Sequence, residues 1–142
     1  MLRIFGAKLG KAVHPYPSAR IWAPWNLEMG DCSCLSEYVD CYCVDKIKLG
    51  KDVVVSQYSF LCTASHDYND PSFPLTTAPI SIDDRAWVAA DVFIGPGVTV
   101  GEGAVVGARS TIFNNVEHNT VIAGSPPKLI GLRGLDKPQD EQ

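Results

Sequence analysis

The stretch IDDRAWVAADVFIGPGVTVGEGAVVGARSTIFNNVE, residues 82–117, decides the fold because it divides into six consecutive units of six residues. The fifth place of each unit is small or aliphatic, and every unit opens with an aliphatic residue: Ile82, Val88, Ile94, Val100, Val106 and Ile112. A period of six fits neither the 3.6-residue period of a helix nor the simple alternation of one long strand. It predicts short strands separated by turns, which is the hexapeptide form of a parallel β-helix.

The same period predicts how the coils stack. In the β-helices that this repeat resembles, three units make one coil of about 18 residues, so the expected stacked pairs are Ile82 with Val100, Val88 with Val106, and Ile94 with Ile112. Upstream, further openers are predicted at Leu9, Pro15, Ile21, Leu27, Ser33, Val39, Leu49, Val55 and Leu61. We interpret the ten residues from Val39 to Leu49 as one unit plus four, and the 21 residues from Leu61 to Ile82 as one coil plus three.

Composition narrows the class of protein. The 142 residues are expected to form a single domain over residues 1–133 with a polar tail at 134–142, and 46% of them are hydrophobic. A net charge of −4 gives no basic surface for nucleic acid or an anionic membrane. No apolar run reaches the roughly 18 residues of a membrane span, and the apolar start is too short for a secretory signal. A cytoplasmic location is therefore expected.

The cysteines predict no metal site. They are odd in number and form two C-x-C pairs plus one: Cys32, Cys34, Cys41, Cys43 and Cys62. This spacing matches neither the C-x₂-C of common zinc sites nor a disulfide framework. We expect reduced thiols that are partly buried.

The repeat stops in FLCTASHDYNDPSFPLTTAPI, residues 60–80, just after it has placed His66. Pro71, Pro74 and Pro79 lie among small polar residues there, which is a turn and loop composition. The sequence therefore predicts a loop at about 67–79 that protrudes from the regular wall and forms a cleft beside it. A loop held by a rigid scaffold is a typical place for chemistry, so His66 is the candidate catalytic residue.

These residues also carry a family resemblance, which covers roughly residues 5–133, is strong from Leu49 onward and includes the closing VIAGSPPKLIGLR, residues 121–133. The chain resembles the hexapeptide-repeat acyltransferases, and is most similar to sugar O-acetyltransferases of the colanic-acid-biosynthesis type, near the galactoside and maltose enzymes. The resemblance implies an all-β, left-handed parallel β-helix, a homotrimer with active sites between subunits, acetyl-CoA as donor, and no metal. It also implies extra residues before LRIFGAKLG in relatives, so Met1 is expected to mark a shortened start.

The resemblance implies roles for five positions in acetyl transfer. His66 would be the general base that removes the proton of an acceptor hydroxyl, a role that suits histidine because its ring gains and loses a proton near neutral pH. The backbone N–H at about Ala90 would stabilise the oxyanion. Trp87 would line the channel of the pantetheine arm, and Lys128 and Arg133 would approach the CoA phosphates.

At the positions where the acceptor should bind, the chain departs from the galactoside and maltose enzymes that it resembles. Ser36 falls where the galactoside and maltose enzymes carry an asparagine that contacts the acceptor, and Asp45 falls near a carboxylate of that site. Asp67 is expected beside the acceptor, and it and Asp70 are candidates for orienting the imidazole. The Thr-Lys pair that binds CoA phosphates in the family is replaced by Phe113 and Asn114.

The expected function is therefore O-acetylation of a sugar, a polyol or a polysaccharide precursor. The alternative from another class is a non-catalytic trimeric scaffold or sugar-binding module. A metal-dependent hydratase on the same fold is less favoured, because it needs three histidines at one interface and His14, His66 and His118 occur in unlike settings.

Overall fold

The computed structural model describes residues 1–134, and these form short β-strands with one 3₁₀ turn at Pro24–Asn26. The polar tail predicted at 134–142 lies outside the described residues except for Gly134. The strands in chain order are β1 (Lys8–Leu9), β2 (His14–Pro15), β3 (Arg20–Ile21), β4 (Leu27–Met29), β5 (Cys34–Leu35), β6 (Asp40–Tyr42), β7 (Ile47–Leu49), β8 (Val54–Val55), β9 (Phe60–Cys62), β10 (Ala64–His66), β11 (Leu75–Thr77), β12 (Ile80–Ile82), β13 (Trp87–Val88), β14 (Phe93–Ile94), β15 (Thr99–Val100), β16 (Val105–Val106), β17 (Thr111–Ile112), β18 (Thr120–Gly124) and β19 (Pro127–Leu132).

Three sheets form the faces of a triangular prism, and the chain visits them in turn. The first face contains β1, β4, β7, β12 and β15; the second contains β2, β5, β8, β13, β16, β18 and β19; the third contains β3, β6, β9, β14 and β17. Strands within a face pair in parallel, apart from the closing pair β18–β19. The parallel β-helix predicted from the period of six is confirmed.

The predicted stacking in the second half of the chain is also confirmed. The structure pairs Ile82 with Val100, Val88 with Val106, and Ile94 with Ile112. These openers and the fifth-place residues before them point into the prism, where Ile94 is 0% and Val98 is 1% exposed. The first and fifth positions of each six-residue unit, where the sequence is restricted to small or aliphatic residues, are therefore its two buried positions.

The phase predicted for the second coil is wrong by two residues. Leu27, Ser33 and Val39 were expected to open units, but Leu9 pairs with Met29, which in turn pairs with Leu49. The steps from Ile21 to Met29 and from Cys41 to Leu49 are each eight residues, because each contains a two-residue insertion at the corner between the third and first faces. The predicted openers are buried nonetheless, since they occupy the other inward place.

The larger gap is one unit plus fifteen residues, not one coil plus three. Leu61 lies on the third face and Ile82 on the first, which is the next face along the chain. The insertion between them folds as an antiparallel hairpin in which β10 pairs with β11 and His66 lies opposite Leu75. The protruding loop predicted at about 67–79 is confirmed, with residues 75–77 forming the second strand of its stem.

Each end of the prism is closed on one of its three faces. At the start, Nη2 of Arg3 donates to the carbonyls of Leu9 and Gly10, each at 3.0 Å, at the free edge of the first face. At the other end, β19 turns back antiparallel to β18 and becomes the last strand of the second face. The Leu9 and Gly10 carbonyls and the outer edge of β18 are therefore bonded within the chain.

All five cysteines are free thiols, and Cys41, Cys43 and Cys62 are buried. The thiol of Cys43 donates to the Ala23 carbonyl, and its sulfur accepts a bond from the Ala23 N–H, both at 3.3 Å. A hydrogen bond from Cys41 lowers the pKa of Cys43 to about 7. The same bond, together with burial, raises the pKa of Cys41.

Candidate active site

The imidazole of His66 is held by one residue of the protruding loop. Its Nδ1 lies 3.1 Å from the carbonyl oxygen of Phe73. Because a carbonyl only accepts hydrogen bonds, Nδ1 carries the proton and Nε2 of the neutral ring keeps its lone pair. The phenyl ring of Phe73 also stacks on the imidazole, with centroids 4.2 Å apart and planes 4° from parallel. Phe73 therefore fixes both the tautomer and the plane of the ring.

Phe73 adopts a backbone conformation that large residues rarely take. Its φ is +47°, in the left-handed region, which costs about 1–2 kcal/mol for a residue with a Cβ. The Phe73 N–H donates to the Asp70 carbonyl at 2.8 Å, and the Asp70 carboxylate accepts bonds from the N–H and hydroxyl of Ser72. These two bonds lower the pKa of Asp70. The loop thus maintains a strained residue directly against the candidate base.

Asp67 and Asp70, the predicted candidates for orienting the imidazole, bind the loop backbone instead. Asp67 Oδ1 accepts the Asn69 N–H at 3.0 Å, and the Asp67 N–H donates to the Pro74 carbonyl at 3.1 Å. The partner of Nδ1 is a backbone carbonyl, which the sequence analysis missed because a backbone acceptor leaves no signal in residue type.

Asp45 lies at the root of the same hairpin. Its Oδ2 accepts the hydroxyl of Thr77 in β11 at 3.1 Å, and its N–H donates to Thr63 Oγ1 at 2.9 Å. Thr63 in turn donates to the Tyr42 carbonyl and accepts the Ala78 N–H on its own carbonyl. Asp45 therefore fixes the hairpin to the corner between the third and first faces, on the side where His66 is carried.

Three other predicted site residues lie on or beside the second face. Trp87 in β13 is 45% exposed, and its Nε1 donates to Ser56 Oγ at 3.0 Å. Ser36 follows β5, one coil before Ser56, and lines a shallow depression with Tyr16 and Gln57. Ala90 follows β13 at the turn toward the third face, where it lines another depression.

The structure thus brings the predicted residues together in two groups on different sides of the prism. His66, Asp45 and Asp67 belong to the corner between the third and first faces. Ser36, Trp87 and Ala90 belong to the second face and its far corner. A site that contains both groups requires two copies of the chain.

The two predicted basic residues lie at the end of the prism. Lys128 in β19 is exposed and pairs in register with Ala123. Arg133 follows β19, and its Nη1 donates to the carbonyls of Arg85 at 2.6 Å and Gly103 at 3.3 Å. Arg133 therefore ties the last strand to the turns between the first and second faces.

Two further features bear on the alternatives. Among residues 1–134, no group of three or more His, Cys, Asp or Glu side chains is placed to hold a metal ion. Within the same part of the chain, no helix has the length and apolar character needed to cross a membrane.

Known proteins share this architecture. The profile of the bacterial transferase hexapeptide family (six repeats) matches residues 79–114. WcaF of Escherichia coli (strain K12), named as a colanic acid biosynthesis acetyltransferase, is 45% identical over 133 residues, which cover 94% of this chain and 73% of that protein. The galactoside O-acetyltransferase of the same organism is 30% identical over 87 residues, or 59% of this chain and 43% of that protein.

Solved structures agree. A maltose O-acetyltransferase from Clostridium difficile 630 superposes with a TM-score of 0.86 at 27% identity, over 93% of this chain and 72% of that one. A hexapeptide-repeat acetyltransferase from Vibrio cholerae, solved with acetyl coenzyme A, gives a TM-score of 0.85 at 25% identity, over 93% and 74%.

The coil of parallel strands and its likeness to a solved acetyltransferase define the class of protein, a left-handed parallel β-helix. Within that class the chain belongs to the hexapeptide-repeat acetyltransferases, as the match to WcaF over nearly its whole length shows. It is therefore an enzyme, and the expected fold class and family are both confirmed.

Proposed function

We propose that the protein transfers an acetyl group from acetyl-CoA to a hydroxyl of a sugar, a polyol or a polysaccharide precursor, with His66 as general base. The observation that carries this proposal is the bond from Nδ1 to the Phe73 carbonyl, which leaves Nε2 open to a substrate. Relatives named as sugar acetyltransferases, and a structural neighbour solved with acetyl coenzyme A, support the donor and the acceptor class.

The reaction follows from the tautomer. Nε2 of His66 removes the proton of the acceptor hydroxyl while the hydroxyl oxygen attacks the thioester carbon. The tetrahedral intermediate carries its negative charge on the former carbonyl oxygen, to which the Ala90 N–H donates. Collapse of the intermediate expels the CoA thiolate, which takes the proton back from Nε2. Throughout the cycle the Phe73 carbonyl keeps the bond to Nδ1 and stabilises the charged ring.

The separation of the two residue groups supports a homotrimer. His66 of one copy meets Trp87 and Ala90 of the next when the corner that carries the hairpin faces the second face of its neighbour. Such a head-to-tail contact forms a ring where its rotation closes, and closure after three copies, the number that the family resemblance implies, gives three equivalent sites. We propose a cytoplasmic location for the enzyme.

Each remaining candidate has a place in this arrangement. Trp87 forms one wall of the pantetheine channel, and exposed Lys128 binds CoA phosphates. Arg133 has one nitrogen engaged by carbonyls and offers its other N–H groups to the same phosphates. Ser36, Asp45 and Asp67 border the acceptor, where each has oxygen lone pairs for sugar hydroxyls.

The test is the substitution His66→Asn. The side-chain amide of asparagine can donate to the Phe73 carbonyl, as Nδ1 does, but it has no base at the position of Nε2. Thiol release from acetyl-CoA, measured with a panel of sugars and polyols, should fall about 10²–10⁴-fold. His118→Asn is the matched control, because His118 is exposed in a turn away from the hairpin.

Sedimentation of both variants checks assembly. Unchanged turnover in His66→Asn would rule out His66 as the base. If the wild type releases no thiol with any acceptor and calorimetry detects no acetyl-CoA binding, the non-catalytic scaffold or sugar-binding module is the better description.

A further inference from the structure

A cleft of about 280 Å³ lies on the first face, outside the residues assigned above. Its walls are Trp25 and Pro79 at the corner, with Lys46 beside them. Its floor is a column of outward side chains that are in register on successive strands: Lys8, Glu28, Lys48 and Ser81. Neighbouring positions of such a column are about 4.8 Å apart, so one small ligand can reach several of them.

The cleft is positively charged in an acidic protein. It contains three lysines and one acid, Glu28, which gives a local charge of +2 on a chain whose net charge is −4. All three lysines are exposed, and the ion pairs formed among residues 1–134 involve other side chains. Their ammonium groups are therefore available to an anion, for which lysine is a common ligand.

The apolar wall adds a surface for a ring. Trp25, the middle residue of the short 3₁₀ turn, is 66% exposed and lies next to Gly6, where an added Cβ would be 3.0 Å from the Trp25 Cβ. Asn26 fixes that turn by donating to the carbonyls of Cys43 and Val44. An exposed indole beside free ammonium groups fits a sugar ring that carries a phosphate.

The cleft opens at the foot of the His66 hairpin. Lys46 follows Asp45, whose carboxylate is bonded to Thr77, and Pro79 comes two residues after that threonine. Lys128, proposed for the CoA phosphates, lies at the opposite end of the prism. If acetyl-CoA approaches His66 from that end, this cleft lies on the other side of the histidine, where the acceptor binds.

We infer that this cleft binds the phosphate-bearing part of the acceptor, so that the acceptor is a phosphorylated sugar rather than a neutral one. The inference rests on the proposed sugar O-acetyltransferase function. Lys46 and Lys48 bind phosphate oxygens, Trp25 packs on the sugar ring, and Glu28 accepts a bond from a sugar hydroxyl. A sugar monophosphate and a nucleoside diphosphate sugar share this chemistry.

Binding is read at the cleft without any turnover. The indole ¹H–¹⁵N signal of Trp25 is assigned from its absence in Trp25→Phe and followed while α-D-glucose 1-phosphate, UDP-glucose or D-glucose is added. We expect saturable shifts with either phosphorylated probe and none with glucose at equal concentration. A response to the monophosphate identifies a sugar phosphate as sufficient, whereas a response to UDP-glucose alone assigns the cleft to nucleoside diphosphate sugars.

The double variant Lys46→Gln/Lys48→Gln should weaken phosphorylated-probe binding by roughly 2- to 30-fold, since it removes two exposed charge pairs that are worth about 0.2–1 kcal/mol each. Lys11→Gln/Lys51→Gln removes the same charge outside the cleft and should leave binding unchanged. Three results would overturn the inference: a Trp25 signal that does not shift with either phosphorylated probe, one that shifts equally with glucose, or one that responds alike in both double variants.

Acetyl transfer separates this inference from the proposed function. If the lysine pair governs probe binding but no His66-dependent transfer occurs, the phosphate site stands and the acceptor role fails. If transfer depends on His66 and prefers neutral sugars in both lysine variants, the proposed function stands and the inference fails.

Discussion

Replacing Phe73 tests whether the loop residue that holds the imidazole contributes to turnover. In Phe73→Ala the carbonyl that accepts from Nδ1 remains, and the stacked ring is lost. In Phe73→Tyr both remain. All three residues carry a Cβ, so the backbone cost of a φ of +47° is common to the series. The comparison therefore isolates the contact between the two rings.

The expected loss follows from the geometry. A parallel contact with centroids 4.2 Å apart is a full aromatic stack, worth about 0.5–1.5 kcal/mol beyond area burial. If this energy holds the imidazole in its reactive plane, kcat/KM for the acceptor falls about 2- to 13-fold in Phe73→Ala, at 1.36 kcal/mol for each factor of ten. Phe73→Tyr should stay within about twofold of wild type.

Thiol release at varied acceptor and acetyl-CoA concentrations gives both constants. KM for acetyl-CoA should be unchanged, because Phe73 is exposed on the hairpin and touches the imidazole rather than the proposed donor residues. The reasoning fails if Phe73→Ala keeps full kcat/KM, or if Phe73→Tyr loses as much as Phe73→Ala.

Two further substitutions test other parts of the structure. Arg133→Ala removes the donor to the Arg85 and Gly103 carbonyls and a proposed ligand of the CoA phosphates, so it should lower the urea midpoint of unfolding and raise KM for acetyl-CoA. Lys128→Ala should raise KM for acetyl-CoA at unchanged stability, and equal midpoints in both variants would contradict the structural role of Arg133. Cys43→Ala tests a pH dependence. Because the folded pKa of Cys43 is lowered from 9.0 to about 7, its thiolate adds stability that is fully present above pH 9 and is lost as the pH falls to 7. The free energy of unfolding of the wild type, relative to Cys43→Ala, should therefore rise between pH 7 and 9, and parallel curves would refute the thiolate.

The sequence predicted the second half of the prism well and the first half poorly, for a physical reason. From Ile82 to Ile112 the stacked residues are 18 apart, so the period alone fixes these pairs. The last coil is two residues shorter, since Val106 pairs with Ile122. In the first half, two insertions of two residues lengthen the coils. Two residues are one full alternation of a strand, so inward places stay inward and the hydrophobic pattern does not reveal the shift.

The candidate site was predictable only in part. His66 could be identified because the repeat is interrupted directly after it. A chain of regular coils would continue its repeat at that position. The bond from its Nδ1 was not predictable, because the acceptor is the backbone of Phe73 and any residue supplies a carbonyl. The sequence could not show that Trp87 lies on a different side of the prism from His66. The face on which Trp87 lies depends on whether the regular part of the gap before Ile82 is one unit or one whole coil, and the sequence does not decide between them.

The closure of the prism ends limits how molecules can join. A stack of parallel coils presents strand edges to which a second molecule could add its own coil, and repetition would produce a fibre. At the first face Arg3 already occupies the carbonyls of Leu9 and Gly10. At the second face the edge is the antiparallel β19, which begins at Pro127 and therefore starts without a backbone N–H. Fewer free backbone groups are therefore offered to an added coil at both positions, which disfavours growth of a fibre along the prism axis.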